Sequence, residues 1–250
     1  MLNSIGSSSE VSIGGITGSS GTVTVTGPGS QWNAGILVIG NGGQGTLTLS
    51  SGASGSSTSF VVVGGTGQGT MILTDPETKW TNSGVLFVQT GNLTVQNGAV
   101  LSAGDLQVGA SSADSTLTIQ SGGVVTSSYV GIGTLANGSA AVSGVGSQLV
   151  ASNLAVGSQA TGSLTLSAGA TGISSAGVWI GQSVGSVAST GTMTLTDPGT
   201  TWTNSSGWVA IGDKEYSSTS GQVPGRLTFR TERCSQRRAT CIWVPPDRGR

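Results

Sequence analysis

The stretch GILVIGNGGQGTLTLSSGAS (residues 35–54) decides the fold of this chain. It contains two short segments, LVIG and TLTL, in which every second residue is aliphatic. Alternation with a period of two is typical of a β-strand with one buried face. We therefore expect Leu47 and Leu49 to point into a core and the threonines beside them to point to solvent. The glycine that ends LVIG, Gly40, predicts a sharp corner with a positive φ.

Both segments recur along the chain with a period of about 24 residues. From Leu37 to Val178 the LVIG-type motifs are separated by 24, 25, 20, 24, 24 and 24 residues. The motifs begin at Val11, Leu37, Val61, Leu86, Leu106, Val130, Leu154, Val178 and Val209. The first inward residues of the TLTL-type motifs are Val23, Leu47, Met71, Leu93, Leu117, Ala140, Leu164, Met193 and Leu227. A single coil of this length cannot bury its apolar edge, so the repeat predicts an all-β solenoid of about nine stacked coils.

The composition is compatible with such a stack and argues against several functions. Charged residues make up 8%, aromatic residues 4% and hydrophobic residues 35% of the chain, and histidine is absent. The net charge of −1 gives the molecule as a whole no electrostatic reason to bind nucleic acid. No segment is long and apolar enough to predict a membrane span, and we expect no cofactor. The two cysteines, Cys234 and Cys241, lack the spacing and the histidines of a zinc site.

The coils are predicted to be of two kinds, which differ in the turn after the TLTL-type strand. In one kind a tryptophan follows this turn, at Trp32, Trp80 and Trp202, and a degenerate copy has Leu149 there. In the other kind the turn consists of small residues, at 49–54, 95–100, 119–124 and 166–171. Because the tryptophans hold a fixed place in the repeat, we interpret them as apolar plugs of a corner rather than as platforms for sugars.

Two insertions interrupt the period, at about 182–190 and at 213–225. The second contains the most polar cluster of the repeat region, formed by Asp213, Lys214, Glu215 and Tyr216. Insertions at one corner of a solenoid are frequent places for binding. This cluster is therefore the candidate interaction site.

With these residues in view, the chain resembles the β-strand-repeat passenger regions of bacterial autotransporters, the type V secreted proteins of Gram-negative surfaces. The features that carry the resemblance are GPGSQW followed by the stretch quoted above (27–54) and DPGTTWTNSSGWVAIG (197–212), and it covers about residues 10–229. The resemblance implies a right-handed parallel β-helix. It also implies a parent protein at the cell surface or outer membrane, or outside the cell, that often acts in adhesion or aggregation. Since the sequence has neither a signal-peptide pattern nor barrel-forming strands, we expect a fragment.

The predicted layout has a partial leading coil at 1–10, the solenoid at 11–229 and a non-repeat tail at 230–250. Residues 1–225 carry two cations and eight anions, whereas 226–250 carry seven arginines and two acids. The repeat pattern stops after Phe229. We hypothesise that the reading frame is lost there, and a genuine C-terminal cap is the alternative.

The expected function is that of a non-catalytic stalk or adhesive surface. Its expected partners are host or bacterial surface glycans or proteins, or further copies bound through open coil edges. A carbohydrate-active β-helix enzyme is the main alternative, since glycoside hydrolysis needs a pair of carboxylates. The candidates Asp75 and Asp197 both precede a proline, a common structural use of aspartate in turns. Asp105 and Asp114 have no accompanying base or cation in the sequence.

A surface that binds ice is a further alternative, because threonines recur at outward positions of the TLTL-type strands. Ile72, Gln96 and Ala141 interrupt those rows. The high β-propensity of threonine explains the pattern without a ligand.

Overall fold

The computed structural model of this chain describes residues 7–111, 113–184, 189–212, 214–215 and 225–230. These residues form 23 β-strands, and none of them is helical. All described strand pairs are parallel and join equivalent segments of successive coils. The predicted all-β parallel solenoid is confirmed.

Sheet A contains the strands that carry the LVIG-type motifs. In three coils it is interrupted, so that two short strands replace one long strand. Along the stack it consists of β1 (Ser7–Ile13), β3 (Gln31–Ile39), β5 (Ser54–Ser57) with β6 (Val61–Val63), β8 (Lys79–Val88), β10 (Val100–Val108), β12 (Val124–Ile132), β14 (Gln148–Val156), β16 (Thr171–Ser174) with β17 (Val178–Ile180), and β20 (Thr201–Asn204) with β21 (Val209–Ile211).

Sheet B contains the TLTL-type strands. Its order is β2 (Ser20–Thr26), β4 (Gln44–Ser50), β7 (Gly69–Leu73), β9 (Gly91–Gln96), β11 (Ser115–Gln120), β13 (Gly138–Ser143), β15 (Thr161–Ser167), β19 (Thr190–Thr196) and β23 (Gly225–Arg230). A third sheet contains only β18 (Ser183–Val184) and β22 (Lys214–Glu215).

The core lies between sheets A and B and runs along the whole stack. Strand register places equivalent residues next to one another, so that Leu47 pairs with Val23 on one side and Met71 on the other. Leu37 and Leu47 are both 0% exposed, as the alternation predicts. Each buried aliphatic side chain contributes about 1.5–3 kcal/mol of transfer free energy, which a single coil could not secure alone.

The corner after sheet A is formed by glycine in most coils, whereas Gln89 occupies it in one. Gly40 has a φ of 78°, and a Cβ there would lie 2.2 Å from the carbonyl oxygen of Gln68 in the next coil. Gly157 has a φ of 72° and is equally close to the oxygen of Thr190. The predicted positive φ is confirmed, and the close approach of the next coil adds a second reason for glycine.

The two predicted kinds of coil correspond to two turn conformations. The small-residue turn has two consecutive left-handed residues, as at Ser51 and Gly52. The turn before tryptophan has left-handed residues on both sides of one ordinary residue, as at Asp75 and Glu77 around Pro76. The same two patterns return at 97–98, 121–122 and 168–169, and at 27–29, 144–146 and 197–199, respectively.

The stack has slightly fewer complete coils than the nine predicted, because β1 and β23 are each half of a coil. The predicted boundary at residue 10 falls inside β1, which pairs with β3 from Ser7 onward. Residues 231–250 of the predicted tail lie outside the described residues.

Candidate functional site

The polar cluster predicted as an interaction site lies only partly within the described residues. The backbone of Lys214 and Glu215 forms β22, whereas Asp213 and Tyr216 lie outside the described part of the chain. β22 pairs in parallel with β18, so that Ser183 is opposite Lys214. The described segments of the two corner insertions, which were predicted separately, therefore pair with each other.

Asp75, one of the two carboxylates considered for catalysis, binds the turn of the preceding coil. Its Oδ2 accepts a hydrogen bond of 3.1 Å from the backbone N–H of Ser51. Thr78 completes the contact, since its Oγ1 accepts a hydrogen bond of 3.0 Å from the N–H of Gly52. The long turn thus satisfies two backbone donors that the left-handed short turn leaves without a partner in its own coil.

Asp197 repeats this arrangement five coils further on. Its Oδ2 accepts a hydrogen bond of 2.9 Å from the N–H of Ala168, and Thr200 Oγ1 accepts one of 3.0 Å from the N–H of Gly169. In the degenerate copy, Ser147 Oγ takes the place of the threonine and accepts from the N–H of Gly122 at 3.0 Å. The structural use predicted for aspartate before proline is confirmed.

The tryptophans of the repeat face inward, and two of them pack on glycines. Trp80 is 1% exposed, and a Cβ on Gly55 of the preceding coil would lie 2.4 Å from its ring. Trp202 has the same relation to Gly172, at 1.9 Å, and is partly buried. Trp32 is also partly buried against the core, and its ring meets that of Trp80 edge-on at 6.4 Å. The interpretation as apolar plugs is confirmed most clearly for Trp80.

The remaining described aromatic side chains share one outer surface, which the sequence analysis missed. We call it the aromatic face and define it by two residues in each coil: the residue before each LVIG-type motif and the second residue of that motif. Register aligns these positions along sheet A. Its aromatic members are Phe60, Phe87, Tyr129, Trp179 and Trp208.

Trp179 and Trp208 form an aromatic pair at one end of this face. Their ring centroids are 4.5 Å apart and their planes meet at 86°. Trp208 is 51% exposed. The ring of Trp179 lies against Gly177, since a Cβ there would be 2.8 Å from Cη2. A signal for Trp179 was present, because it stands between two inward residues of a VWIG motif and must therefore point outward.

The outer face of sheet B has a different character, with rows of hydroxyl and amide groups. Side chains of adjacent coils bond along these rows, as Thr116 Oγ1 donates to Asn92 Oδ1 at 2.5 Å and Gln120 Nε2 donates to Gln96 Oε1 at 2.7 Å. An open depression of about 380 Å³ lies at the edge of this face. The residues that line it are polar, apart from one glycine, and are Asp114, Ser115, Thr116, Asn137, Gly138, Ser139, Thr161 and Ser163.

Within the described residues, no three or more acidic, cysteine or histidine side chains come together as a metal site would need. Asp105 lies on the aromatic face between Val85 and Tyr129, apart from Asp114 at the edge of sheet B. In the same part of the chain no helix is long and apolar enough to cross a membrane.

No family model, curated protein or solved structure matches this chain. The resemblance to autotransporter passengers therefore depends on the residues of the repeat alone.

Proposed function

We propose that this chain is a non-catalytic part of a surface-displayed or secreted protein of the autotransporter-passenger type, and that it acts as a stalk with an adhesive surface. The observation that carries the proposal is the parallel stack, which continues from coil to coil and presents on its outer side an aromatic pair whose Trp208 is 51% exposed. A stalk needs length from repeated local contacts, and an adhesin needs exposed groups on a rigid support.

The stalk role is supported by how the coils hold one another. Each sheet continues in register from coil to coil, and side chains of the long turns bind the backbone of the preceding short turns. The stability of such an array comes from contacts between neighbouring coils, so the stack can be lengthened by adding coils that make the same contacts. A right-handed winding is the hand expected for parallel strands joined by crossovers.

The adhesive role is supported by the composition of the outer surfaces. The outer face of sheet B presents rows of hydroxyl and amide groups, and that of sheet A presents aromatic rings. Both kinds of group can bind surfaces that carry little charge.

The non-catalytic assignment is supported by Asp75 and Asp197. Both carboxylates accept hydrogen bonds from turns of the preceding coil, which is a structural use of the groups that an enzyme would need.

The proposal can be tested at two levels. Antibodies raised against the purified chain should label intact cells of the source organism, and protease treatment of those cells should remove the signal. Labelling that requires cell lysis would contradict surface display. Beads coated with the chain should attach to host or bacterial cells, and failure to attach would contradict the adhesive role. Release of reducing ends or unsaturated products from polysaccharides would contradict the non-catalytic assignment.

A further inference from the structure

We infer that the aromatic pair, Trp179 with Trp208, is a binding site for an extended, uncharged polysaccharide. This inference specifies the ligand of the adhesive surface and therefore rests on the proposed function. Sugar rings have apolar faces that stack on indole rings, and hydroxyl rims that bond to polar side chains. The site offers both kinds of contact on a rigid sheet.

The ring of Trp179 is held in place before any ligand arrives. The ring lies against Gly177. The residues opposite Trp179 in the two adjacent strands are Ala155 and Ala210, whose side chains are too small to occupy the space beside the ring. Asn153 Oδ1 accepts a hydrogen bond of 3.1 Å from the N–H of Gly177 and so fixes the backbone under the ring. Because the rotamer is restricted already, binding costs little further conformational entropy.

The angle between the two indoles creates an open aromatic corner. With planes at 86° and centroids 4.5 Å apart, one ring can form a floor and the other a wall. A sugar stacked on the floor would also contact the wall with its rim. Ser205 and Ser206, which are exposed and closely precede Trp208 in the chain, donate their hydroxyls to the backbone carbonyls of Ser174 and Ser175, and their oxygens can still accept a hydrogen bond.

The charge on the aromatic face favours an uncharged ligand. In the described residues its charged members are Glu10 and Asp105, both acidic, and no lysine or arginine occupies any of its positions. An anionic polymer such as a polyuronate that ran along this face would meet the like charge of Asp105 and no lysine or arginine at the described positions of the face. A neutral chain meets no such penalty.

The face also provides room for a chain that runs along the stack. Tyr129 lies two coils before Trp179, which corresponds to roughly 10 Å at the usual strand spacing. The Tyr129 ring lies against Gly131, as Trp179 does against Gly177. An extended polysaccharide covers such a distance with about two sugar units, so these rings suit sugars of one chain.

Affinity electrophoresis of the full chain tests the inference. Gels containing hydroxyethyl cellulose, galactomannan or a linear β-1,3-glucan should retard the protein in at least one case, whereas polygalacturonate should not. Trp179→Ala should weaken retardation about tenfold or more, which corresponds to the loss of one stacked aromatic contact. Trp179→Phe should keep most of the retardation. The control Ile72→Ala, which removes an apolar side chain from the outer face of sheet B, should change nothing.

Several outcomes would overturn the inference. They are the absence of retardation in all three neutral gels, retardation by polygalacturonate alone, or unchanged retardation of Trp179→Ala. If Trp208→Ala instead converts an oligomer to a monomer in sedimentation without affecting retardation, the corner is a contact between copies. Attachment of coated beads separates the two proposals: if the unmodified chain is retarded in none of the neutral gels but its beads still attach to cells, the sugar site is refuted and the adhesive role remains.

Discussion

The inner tryptophans and the outer aromatic pair use the same local contact with opposite results. Trp80 lies against Gly55 inside the stack and Trp179 lies against Gly177 outside it. In both places a glycine without a Cβ lets an indole ring approach the backbone closely. Inside, the ring fills space and is 1% exposed, whereas outside its partner Trp208 is 51% exposed. The comparison teaches that burial, not the ring–glycine contact itself, separates a stabilising residue from a surface available for binding.

The largest effect is expected for the inner ring. Trp80→Ala should lower the free energy of unfolding by about 3–5 kcal/mol, because it leaves a cavity in the core. Trp208→Ala is the matched control, and its loss should stay below about 1 kcal/mol because the side chain is half exposed. Urea denaturation followed by far-UV circular dichroism measures both. Similar losses for the two variants would contradict the division into inner and outer rings.

The second prediction exchanges the partners of the inner contact. In the degenerate coil Leu149 pairs with Val125, whereas Trp80 pairs with Gly55. Gly55→Val alone should destabilise the fold, since even its Cβ would lie 2.4 Å from the Trp80 ring.

Combining Gly55→Val with Trp80→Leu should recover about 1–2 kcal/mol relative to the sum of the single changes, as expected for residues in direct contact. A double-mutant cycle in urea measures this coupling. Strict additivity would show that the two positions do not share space in the folded protein.

The third prediction concerns the turn that precedes the inner ring. Asp75→Gly keeps a residue that tolerates the positive φ, as Gly27 does in the equivalent place, but removes the acceptor for Ser51. The expected loss is about 1.5–3 kcal/mol, the usual contribution of a hydrogen bond to a charged group. Asp75→Asn is the control and should lose less, because its amide oxygen can still accept. Thermal denaturation would contradict this role if Asp75→Gly melted at the temperature of the unmodified chain.

The smallest change in stability, with a clear change in binding, is expected for Gly177→Ala. The added methyl would lie 2.8 Å from Cη2 of Trp179. The ring must therefore move, although the tryptophan itself is still present. Because the ring is at the surface, the melting temperature should change little, while polysaccharide retardation should fall severalfold. The comparable change on the outer face of sheet B, Ser139→Ala, serves as control. Unchanged retardation of Gly177→Ala would show that the position of the Trp179 ring is irrelevant to binding.

Much of the fold was predictable because each coil repeats the same local sequence patterns. Alternation around Leu47, the positive φ of Gly40 and the inward position of Trp80 each follow from residues within one coil. The two kinds of turn were also readable, since consecutive small residues and an aspartate before proline demand different backbone angles.

The candidate site was predicted less well. The polar loop chosen from the sequence lies mostly outside the described residues, and the aromatic pair next to it in the chain was missed. Trp208 contacts Trp179 because β21 lies beside β17 in the next coil, with Val209 opposite Val178. The motifs at Val178 and Val209 were recognised although they are 31 positions apart. Trp179 is the second residue of its motif, however, and Trp208 precedes the other, so the two tryptophans do not share a position of the repeat.

The sequence by itself determined the solenoid, its inward and outward residues and the glycines at its corners, because each depends on alternation or backbone angles within a few residues. Tertiary structure alone decided which residues of different coils touch. The bond from Ser51 to Asp75, the pairing of β18 with β22 and the aromatic corner all depend on how one coil is placed on the next. That placement follows from the packing of the whole core, which no single coil encodes.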